Sequence, residues 1–228
     1  MTERENILGR IREALQTNGP LTGSHPRGSA PPPAEPTISH AREWLPAVGP
    51  TQVEQFELFA KNCADLKADF QRLASQDELA AALVKIRDAE KWRRVASHQG
   101  QLCHPACQAL GLPTLLTDDG YDVQALEKCD AGITECDALI AQTGGVAVTS
   151  RSTGGRALSI LPPHHVVLAR SEQLVADLPA AFALLQQKYA PDFPSMISFI
   201  TGPSRTGDIE RILVLGAHGP KKLTILCF

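Results

Sequence analysis

Apolar residues recur at helical spacing near the start of the chain, in the stretch ENILGRIREAL. A capping box of Thr2 and Glu5 precedes them, so we predict an N-terminal helix over residues 1–17. Residues 18–50 are rich in Pro and Gly and predict a flexible or polyproline-like linker. A tether of this kind allows the helix to dock on its own subunit, on a neighbouring subunit or on a partner.

The same helical spacing returns from Thr51 to Leu73, where it predicts a long helix. A second capping box, Ser75 with Glu78, predicts the start of the next helix. We predict a single α/β domain over residues 51–228, because a segment of this length can bury one sizeable core.

Short apolar runs bounded by turn residues predict strands in the rest of the chain. Two helices are predicted among them: His104–Leu110, and a helix within Gln173–Tyr189 that either begins at Pro179 or bends there. The alternation favours an α/β fold with a mainly parallel open sheet flanked by helices. A small antiparallel hairpin region is predicted around an exposed, mobile loop at Arg151–Gly155. The predicted strands are Arg93–Ser97, Leu112–Thr117, Gly145–Thr149, Ala157–Leu161, His165–Ala169, Ile197–Thr201, Leu213–Leu215 and Leu223–Phe228.

Charge and hydropathy exclude two classes of partner. The 228 residues carry a formal net charge of −3, so no broad basic field is available for nucleic-acid phosphates. The N-terminus is charged, and no apolar run approaches the ~20 residues needed to span a bilayer. We therefore expect a cytoplasmic protein with no membrane span.

The six cysteines lack the spacing of a disulfide framework, which predicts reduced thiols. Cys103 and Cys107 lie four positions apart, but no second ligand pair follows at a spacing typical of zinc sites. The tight cysteine runs of iron-sulfur proteins are absent from the sequence. We expect neither a metal nor a bound cofactor.

Three segments of the second half resemble one known family, in the same order along the chain. They are GITECDALIAQTGG at 132–145, GRALSILPPHH at 155–165 and TGPSRTGDIERILVLGAHGP at 201–220. Together they are similar to the LUD domain of the lactate utilization protein C family. The resemblance implies a fold of the ribose-5-phosphate isomerase and CoA-transferase type and a role in growth on L-lactate.

The first segment places Glu135 after a strand end, where ligands collect in parallel sheets. By analogy with enzymes of the implied fold, Glu135 is the candidate catalytic carboxylate, with a simple helix cap as the structural alternative. Thr143 and Gly144 form a turn at which backbone groups could approach a ligand. The family usually has an acid where this chain has Gln142. A mechanism that needs that acid does not carry over, whereas hydrogen bonding by the amide does.

The second segment carries Arg156, whose guanidinium suits a small carboxylate or a phosphate. His164 and His165 follow, and neighbouring residues of a strand point to opposite faces, so at most one of them faces a given pocket. We take His165 as the candidate ligand contact, with a structural histidine as the alternative.

The third segment supplies the remaining candidates for ligand binding. Gly202 makes a turn, Ser204, Thr206 and Asp208 would line one side of a cleft, and His218 would line the other. The residues after the turn also offer N-cap chemistry for a short helix, whose start would favour an anion. The structural alternative is that they only turn the chain and cap that helix.

We expect Glu135, Arg156, Ser204 and Asp208 to meet at one edge of the parallel sheet, around a pocket for a small anion. The resemblance implies a subunit or accessory factor of an L-lactate oxidation system, with iron-sulfur and cysteine-rich oxidoreductase subunits as partners. A homo-oligomer is compatible with the sequence. One alternative is an independent enzyme of the isomerase or CoA-transferase type that acts on a phosphorylated, nucleotide or CoA substrate. The other is a pure interaction module.

Overall fold

The computed structural model describes residues 45–206, 214–215 and 219–228, and every element given below lies within these ranges. Residues Leu45–Phe228 belong to one unit. The predicted N-terminal helix over residues 1–17 lies outside the described residues, as does the predicted linker up to residue 44.

Helices and strands alternate along the described residues. The helices are α1 (Gln52–Asp65), α2 (Gln76–Glu90), α3 (Cys103–Leu110), α4 (Val123–Glu127) and α5 (Leu178–Tyr189), with a short 3₁₀ helix at Ser171–Gln173. The strands are β1 (Asp69–Arg72), β2 (Val95–Ser97), β3 (Thr114–Leu116), β4 (Ala131–Glu135), β5 (Ala138–Ile140), β6 (Gly145–Thr149), β7 (His164–Ala169), β8 (Leu174–Val175), β9 (Ile197–Ile200), β10 (Arg205–Thr206), β11 (Val214–Leu215) and β12 (Lys222–Cys227).

Six strands form the main sheet in the order β1-β12-β7-β4-β2-β3, and every neighbouring pair is parallel. This confirms the predicted α/β class with a mainly parallel sheet. Because all six strands point the same way, the sheet has a carboxyl edge and an amino edge. Glu135 ends β4 at the carboxyl edge, and His164 begins β7 at the amino edge.

A second sheet carries the antiparallel part of the fold. Its order is β8-β5-β6-β9, in which β5 and β9 each pair antiparallel with β6 and β8 pairs parallel with β5. The hairpin lies at β5 and β6. The predicted hairpin around Arg151–Gly155 is wrong, because those residues form turns that follow β6.

Two apolar layers cover opposite faces of the main sheet. Helices α2 and α3 pack on one face around Leu83 and Leu110, together with Val95 and Ile133 of the sheet. Helix α1 and the second sheet pack on the other face, where Phe59 is fully buried. The main sheet is therefore buried on both sides, as its apolar strands require.

The helix predicted from Thr51 to Leu73 is wrong in its second half. Thr51 and Glu54 form a capping box at its start, but α1 ends at Asp65 and Lys67 has a φ of 65°. The chain then continues as β1, and Phe70 still reaches the core as a strand residue, with its ring 4.9 Å from that of Phe59. The apolar period thus identified the buried residues but not the change of element.

The strand predicted at Ala157–Leu161 is also wrong. The N–H groups of Ile160 and Leu161 both donate to the carbonyl of Ala157, so the segment is hydrogen-bonded within itself rather than to a strand. It crosses the main sheet over Gly132, where a Cβ would lie 2.3 Å from the carbonyl oxygen of Leu158. Ala157 and Leu158 are buried as a cover of the sheet instead of as part of it, whereas Ile160 is exposed.

The structure decides two further predictions of secondary structure. Pro179 lies in the first turn of α5, so the alternative that the helix begins there is confirmed and residues 174–177 are not helical. Arg205 and Thr206 pair with β11 as a strand, not as the start of a short helix. Among the described helices, none is long and apolar enough to cross a membrane.

Candidate functional site

Glu135 anchors a cluster at the carboxyl edge of the main sheet. Its Oε1 atom accepts hydrogen bonds from the backbone N–H groups of Leu102 (2.7 Å) and Cys103 (3.3 Å). These groups begin α3 and have no partner within the helix, so the carboxylate satisfies them. Among the described residues none donates a hydrogen bond to Oε2. One oxygen therefore has a structural role and the other is free to interact.

His98 follows β2 and lies beside this carboxylate. Its Nε2 atom is 3.4 Å from the donating backbone nitrogen of Glu135 and 3.5 Å from Cys103 Sγ. Burial lowers the pKa of His98 despite the opposing effect of Glu135 and Asp118, so the imidazole is neutral at neutral pH. Burial also raises the pKa of the Cys103 thiol well above its usual range. The edge thus brings together a carboxylate, a neutral imidazole and a thiol.

The turn at 150–156 packs against the same edge. Gly154 has a φ of 59°, and a Cβ there would lie 2.2 Å from the Cβ of His98. Thr117 Oγ1 donates a 2.8 Å hydrogen bond to the carbonyl of Gly154. Thr153 is fully buried, so the prediction of an exposed loop is wrong at that residue. The turn is held against the ends of β2 and β3.

Two arginines belong to segments that reach this edge. Arg156 is exposed and donates to the carbonyl of Ser195 at 2.8 Å. Arg170 follows β7, with Nη2 3.5 Å from Gln101 Oε1. Within the described ranges neither guanidinium forms an ion pair, whereas Arg151 pairs with Asp192. Two guanidinium groups are therefore available to an anion.

Asp137 belongs to a buried structural network rather than to this edge cluster. Its Oδ1 atom accepts hydrogen bonds from Lys188 Nζ (2.6 Å) and Tyr189 OH (2.5 Å). Burial is the largest single effect on Lys188 and lowers its pKa, but the hydrogen bond and the charge of Asp137, together with smaller contributions from Tyr189, raise the pKa overall. Burial and the same carboxylate raise the pKa of Tyr189. These contacts tie α5 to the second sheet.

Thr143 and Gly144 lie at the turn of the β5–β6 hairpin, near the end of α1. Thr143 Oγ1 accepts a 3.3 Å hydrogen bond from the N–H of Gly145. Gly144 has a φ of 62°, and a Cβ there would lie 2.8 Å from the Cβ of Asn62. The turn therefore packs on the C-terminal part of α1, at the amino end of β1.

Gly202 and Ser204 lie at the same amino edge. The N–H of Ser204 donates to the carbonyl of Pro220, two residues before β12 begins. A cavity of about 510 Å³ lies here, lined by both residues and by Leu66 and Phe199. The predicted ligand-binding turn at Gly202 and Ser204 does border a cavity, but this cavity lies at the amino edge of the main sheet.

The two neighbouring histidines of β7 point to opposite faces. His165 is buried, and its Nε2 atom lies 2.9 Å from Thr134 Oγ1. His164 lies 2.9 Å from Thr224 Oγ1 and lines a separate cavity of about 310 Å³. Burial lowers the pKa of His165 to about 3 and that of His164 to about 4, so both imidazoles are neutral in the folded protein at neutral pH.

The predicted meeting of Glu135, Arg156, Ser204 and Asp208 at one edge is wrong. Glu135 lies at the carboxyl edge and Ser204 at the amino edge of the main sheet, with the length of the strands between them. Asp208 and His218 lie outside the described residues, and only the backbone of Thr206 is described.

Sequence similarity to known proteins shows which family this chain belongs to. A profile of the LUD domain matches residues 115–227. Lactate utilization protein C from a Geobacillus species (strain WCH70) is 30% identical over 234 residues, which cover 93% of this chain and 92% of that protein. The protein of the same name from Geobacillus kaustophilus is 29% identical over 211 residues, covering 83% of this chain and 84% of that protein. This chain belongs to the lactate utilization protein C family.

A solved structure supports the fold. The crystal structure of a DUF162 family protein from Deinococcus radiodurans is similar with a TM-score of 0.59 and 21% identity. The match covers 78% of this chain and 99% of that protein. At this identity the likeness concerns the architecture alone.

Gln142 has a role in this member of the family that an acid could not fill. Its Nε2 atom donates a 3.0 Å hydrogen bond to the carbonyl of Pro46. A carboxylate has no proton to donate and would place two acceptors against each other. Asn62 also donates to the carbonyls of Ala141 and Gln142, at 2.9 and 3.0 Å. The side-chain amides of Gln142 and Asn62 therefore both stabilise this turn.

Arg170 was not identified at this edge from the sequence alone, and neither was His98. The signal available for His98 was its position directly after the strand at Val95–Ser97, the same argument that selected Glu135 after β4. His98 and Cys103 also precede the matched LUD range, which begins at residue 115. The segments that carry the resemblance therefore did not include them.

Proposed function

We propose that this protein is a subunit or accessory factor of an L-lactate oxidation system. The observation that carries the proposal is the similarity to proteins named lactate utilization protein C, which extends over 93% of the chain in one of them. The partners would be iron-sulfur and cysteine-rich oxidoreductase subunits, and these would transfer the electrons. This protein would bind a small anionic ligand or the partner subunits.

The carboxyl edge of the main sheet is the binding site that we propose. In open parallel sheets this edge is where ligands usually bind. Arg156 and Arg170 offer guanidinium groups without an ion-pair partner among the described residues, which suits a small carboxylate or a phosphate. Glu135 and His98 would face the remainder of such a ligand.

Co-purification tests the proposed assembly. An affinity-tagged copy, expressed at its natural level in cells grown on L-lactate, should recover iron-sulfur and cysteine-rich subunits in near-equal amounts. An unrelated protein with the same tag, from the same cells, is the control. Recovery of the LUD protein alone, under conditions that preserve other complexes of the cell, would contradict the proposal.

An independent enzyme is the second candidate function. Glu135 favours it, because Oε2 of this half-buried carboxylate has no described donor and a neutral imidazole lies next to it. In that case the protein should be recovered alone, and CoA or a phosphosugar should raise its melting temperature. Glu135→Gln should abolish that rise.

A further inference from the structure

We propose that His98, Cys103 and Glu135 form a binding site for a divalent cation of the Zn²⁺ class. The three residues bring one ligand atom each to within 4.8 Å of one another. An imidazole nitrogen, a thiolate sulfur and a carboxylate oxygen are the donor types that Zn²⁺ takes in proteins. This inference does not depend on a role in lactate oxidation.

The distance between two of the donors already fits a shared cation. Cys103 Sγ and His98 Nε2 are 3.5 Å apart. Zinc bonds of ~2.3 Å to sulfur and ~2.0 Å to nitrogen, at a tetrahedral angle, place these atoms roughly 3.5 Å apart. Both side chains are buried. The cation would take the lone pair of His98 Nε2 that accepts the long 3.4 Å hydrogen bond from the N–H of Glu135, so this contact would be given up on binding.

Glu135 is oriented in the way that metal ligands usually are. Its Oε1 atom is held by the N–H groups of Leu102 and Cys103, while Oε2 has no described donor. Partners of this kind fix a ligating carboxylate in one orientation. The backbone at Gly100 approaches so closely that a Cβ there would lie 2.1 Å from Oε1. The glycine therefore keeps room for the carboxylate in this position.

A cavity gives the cluster access to solvent. It has a volume of about 320 Å³ and is lined by His98 and Cys103 and by residues of α3 and β3. Three protein ligands leave one tetrahedral position, which a water molecule or a small ligand would fill from this side. Cys107 lines the same cavity one helical turn after Cys103 and is not among the three ligands.

The competing interpretation is a hydrogen-bonded cluster without a metal. In that case the Cys103 thiol keeps its proton and donates to the carbonyl of Ile133, which lies 3.6 Å away, or to His98. Cation binding would instead release this proton to solvent as the thiolate forms its bond to the metal. A direct spectroscopic test for a metal–sulfur bond distinguishes the two.

Cobalt(II) provides that test. The full-length protein, reduced and stripped of metal with a chelator, is titrated with Co²⁺ without oxygen. A thiolate ligand should give a near-ultraviolet charge-transfer band at one Co²⁺ per chain, and Zn²⁺ should remove it by competition. Cys103→Ser should abolish the band, and His98→Gln and Glu135→Gln should each weaken Co²⁺ binding at least tenfold.

Cys107→Ser is the matched control, since it removes a thiol from the same cavity and should keep the band. Circular dichroism of each metal-free variant checks that it is folded. Absence of the band in the folded wild-type protein would overturn the proposal, as would a band that survives in Cys103→Ser. If Cys103→Ser does not fold, the Glu135→Gln variant decides, because unchanged Co²⁺ affinity in it contradicts the site.

Discussion

Gly154→Ala should lower the free energy of unfolding by about 3 kcal/mol. Two effects add: a left-handed backbone costs an L residue ~1 kcal/mol, and overlap in a packed site costs another 1–3 kcal/mol. The overlap is with His98, whose Cβ would be 2.2 Å from the new methyl group. Relief of this overlap requires the turn at 150–156 to move away from the carboxyl edge.

Gly111→Ala is the matched control for this prediction. Gly111 has a φ of 62°, close to the 59° of Gly154, and a Cβ there meets nothing within 4 Å. It should therefore cost only the backbone term of ~1 kcal/mol. Urea unfolding at neutral pH measures both variants. Equal losses would mean that the turn does not pack on His98 as described.

Acid should destabilise the protein strongly between pH 6.5 and pH 4, in part through His165. Burial, with a smaller contribution from His164, lowers the pKa of His165 from 6.5 to about 3 in the folded state. In this pH range the unfolded chain binds a proton that the folded protein does not. The contribution of the neutral His165 side chain to the stability of the folded protein is therefore fully present above pH 6.5 and is lost as the pH falls. The loss is ~1.4 kcal/mol per pH unit, or roughly 3 kcal/mol at pH 4.

The test compares the pH dependence of stability in variants. His165→Gln should reduce the slope of unfolding free energy against pH by about 1.4 kcal/mol per unit between pH 6 and pH 4.5. The control is His104→Gln, which removes an exposed imidazole and should keep the wild-type slope. Urea midpoints at several pH values provide the data. An unchanged slope in His165→Gln would show that this imidazole is protonated in the folded protein too.

Local signals in the sequence predicted much of the fold. The strand at Gly145–Thr149 agrees with its predicted bounds, and the helix after Ser75 begins where its cap indicated. Gly111 ends α3 in a left-handed conformation, as expected for a helix stop. Each of these depends on a few adjacent residues, so the sequence contains the whole signal.

Signals that depend on distant partners were misjudged. Ala157–Leu161 has the apolar composition of a strand, yet it covers Gly132 on the face of the sheet, because β2 and β7 already pair with the two sides of β4. The position of Ser204 was misjudged for a related reason. It follows β9, which belongs to the second sheet and runs antiparallel to β6, so its carboxyl end does not coincide with that of the main sheet.

The same argument explains which part of the candidate site the sequence identified. Glu135 was selected because it ends a strand of the main sheet, and it does lie at the carboxyl edge. Arg156 was selected for its chemistry, and the turn that carries it reaches the same edge through Gly154 and His98. The contribution of α3 and Cys103 required the fold, since Cys103 and Glu135 are separated by 32 positions in the chain.

Growth on L-lactate tests the proposed binding edge most directly. A host strain that lacks its own gene for this protein is complemented with the wild type, with Arg156→Gln or with Ser204→Ala, at equal protein levels. Arg156 is exposed and donates one hydrogen bond to a backbone carbonyl, so its replacement should leave the fold intact. We predict that Arg156→Gln fails to restore growth and that Ser204→Ala restores it fully. Normal growth with Arg156→Gln together with loss of growth with Ser204→Ala would contradict the account and place the function at the amino edge.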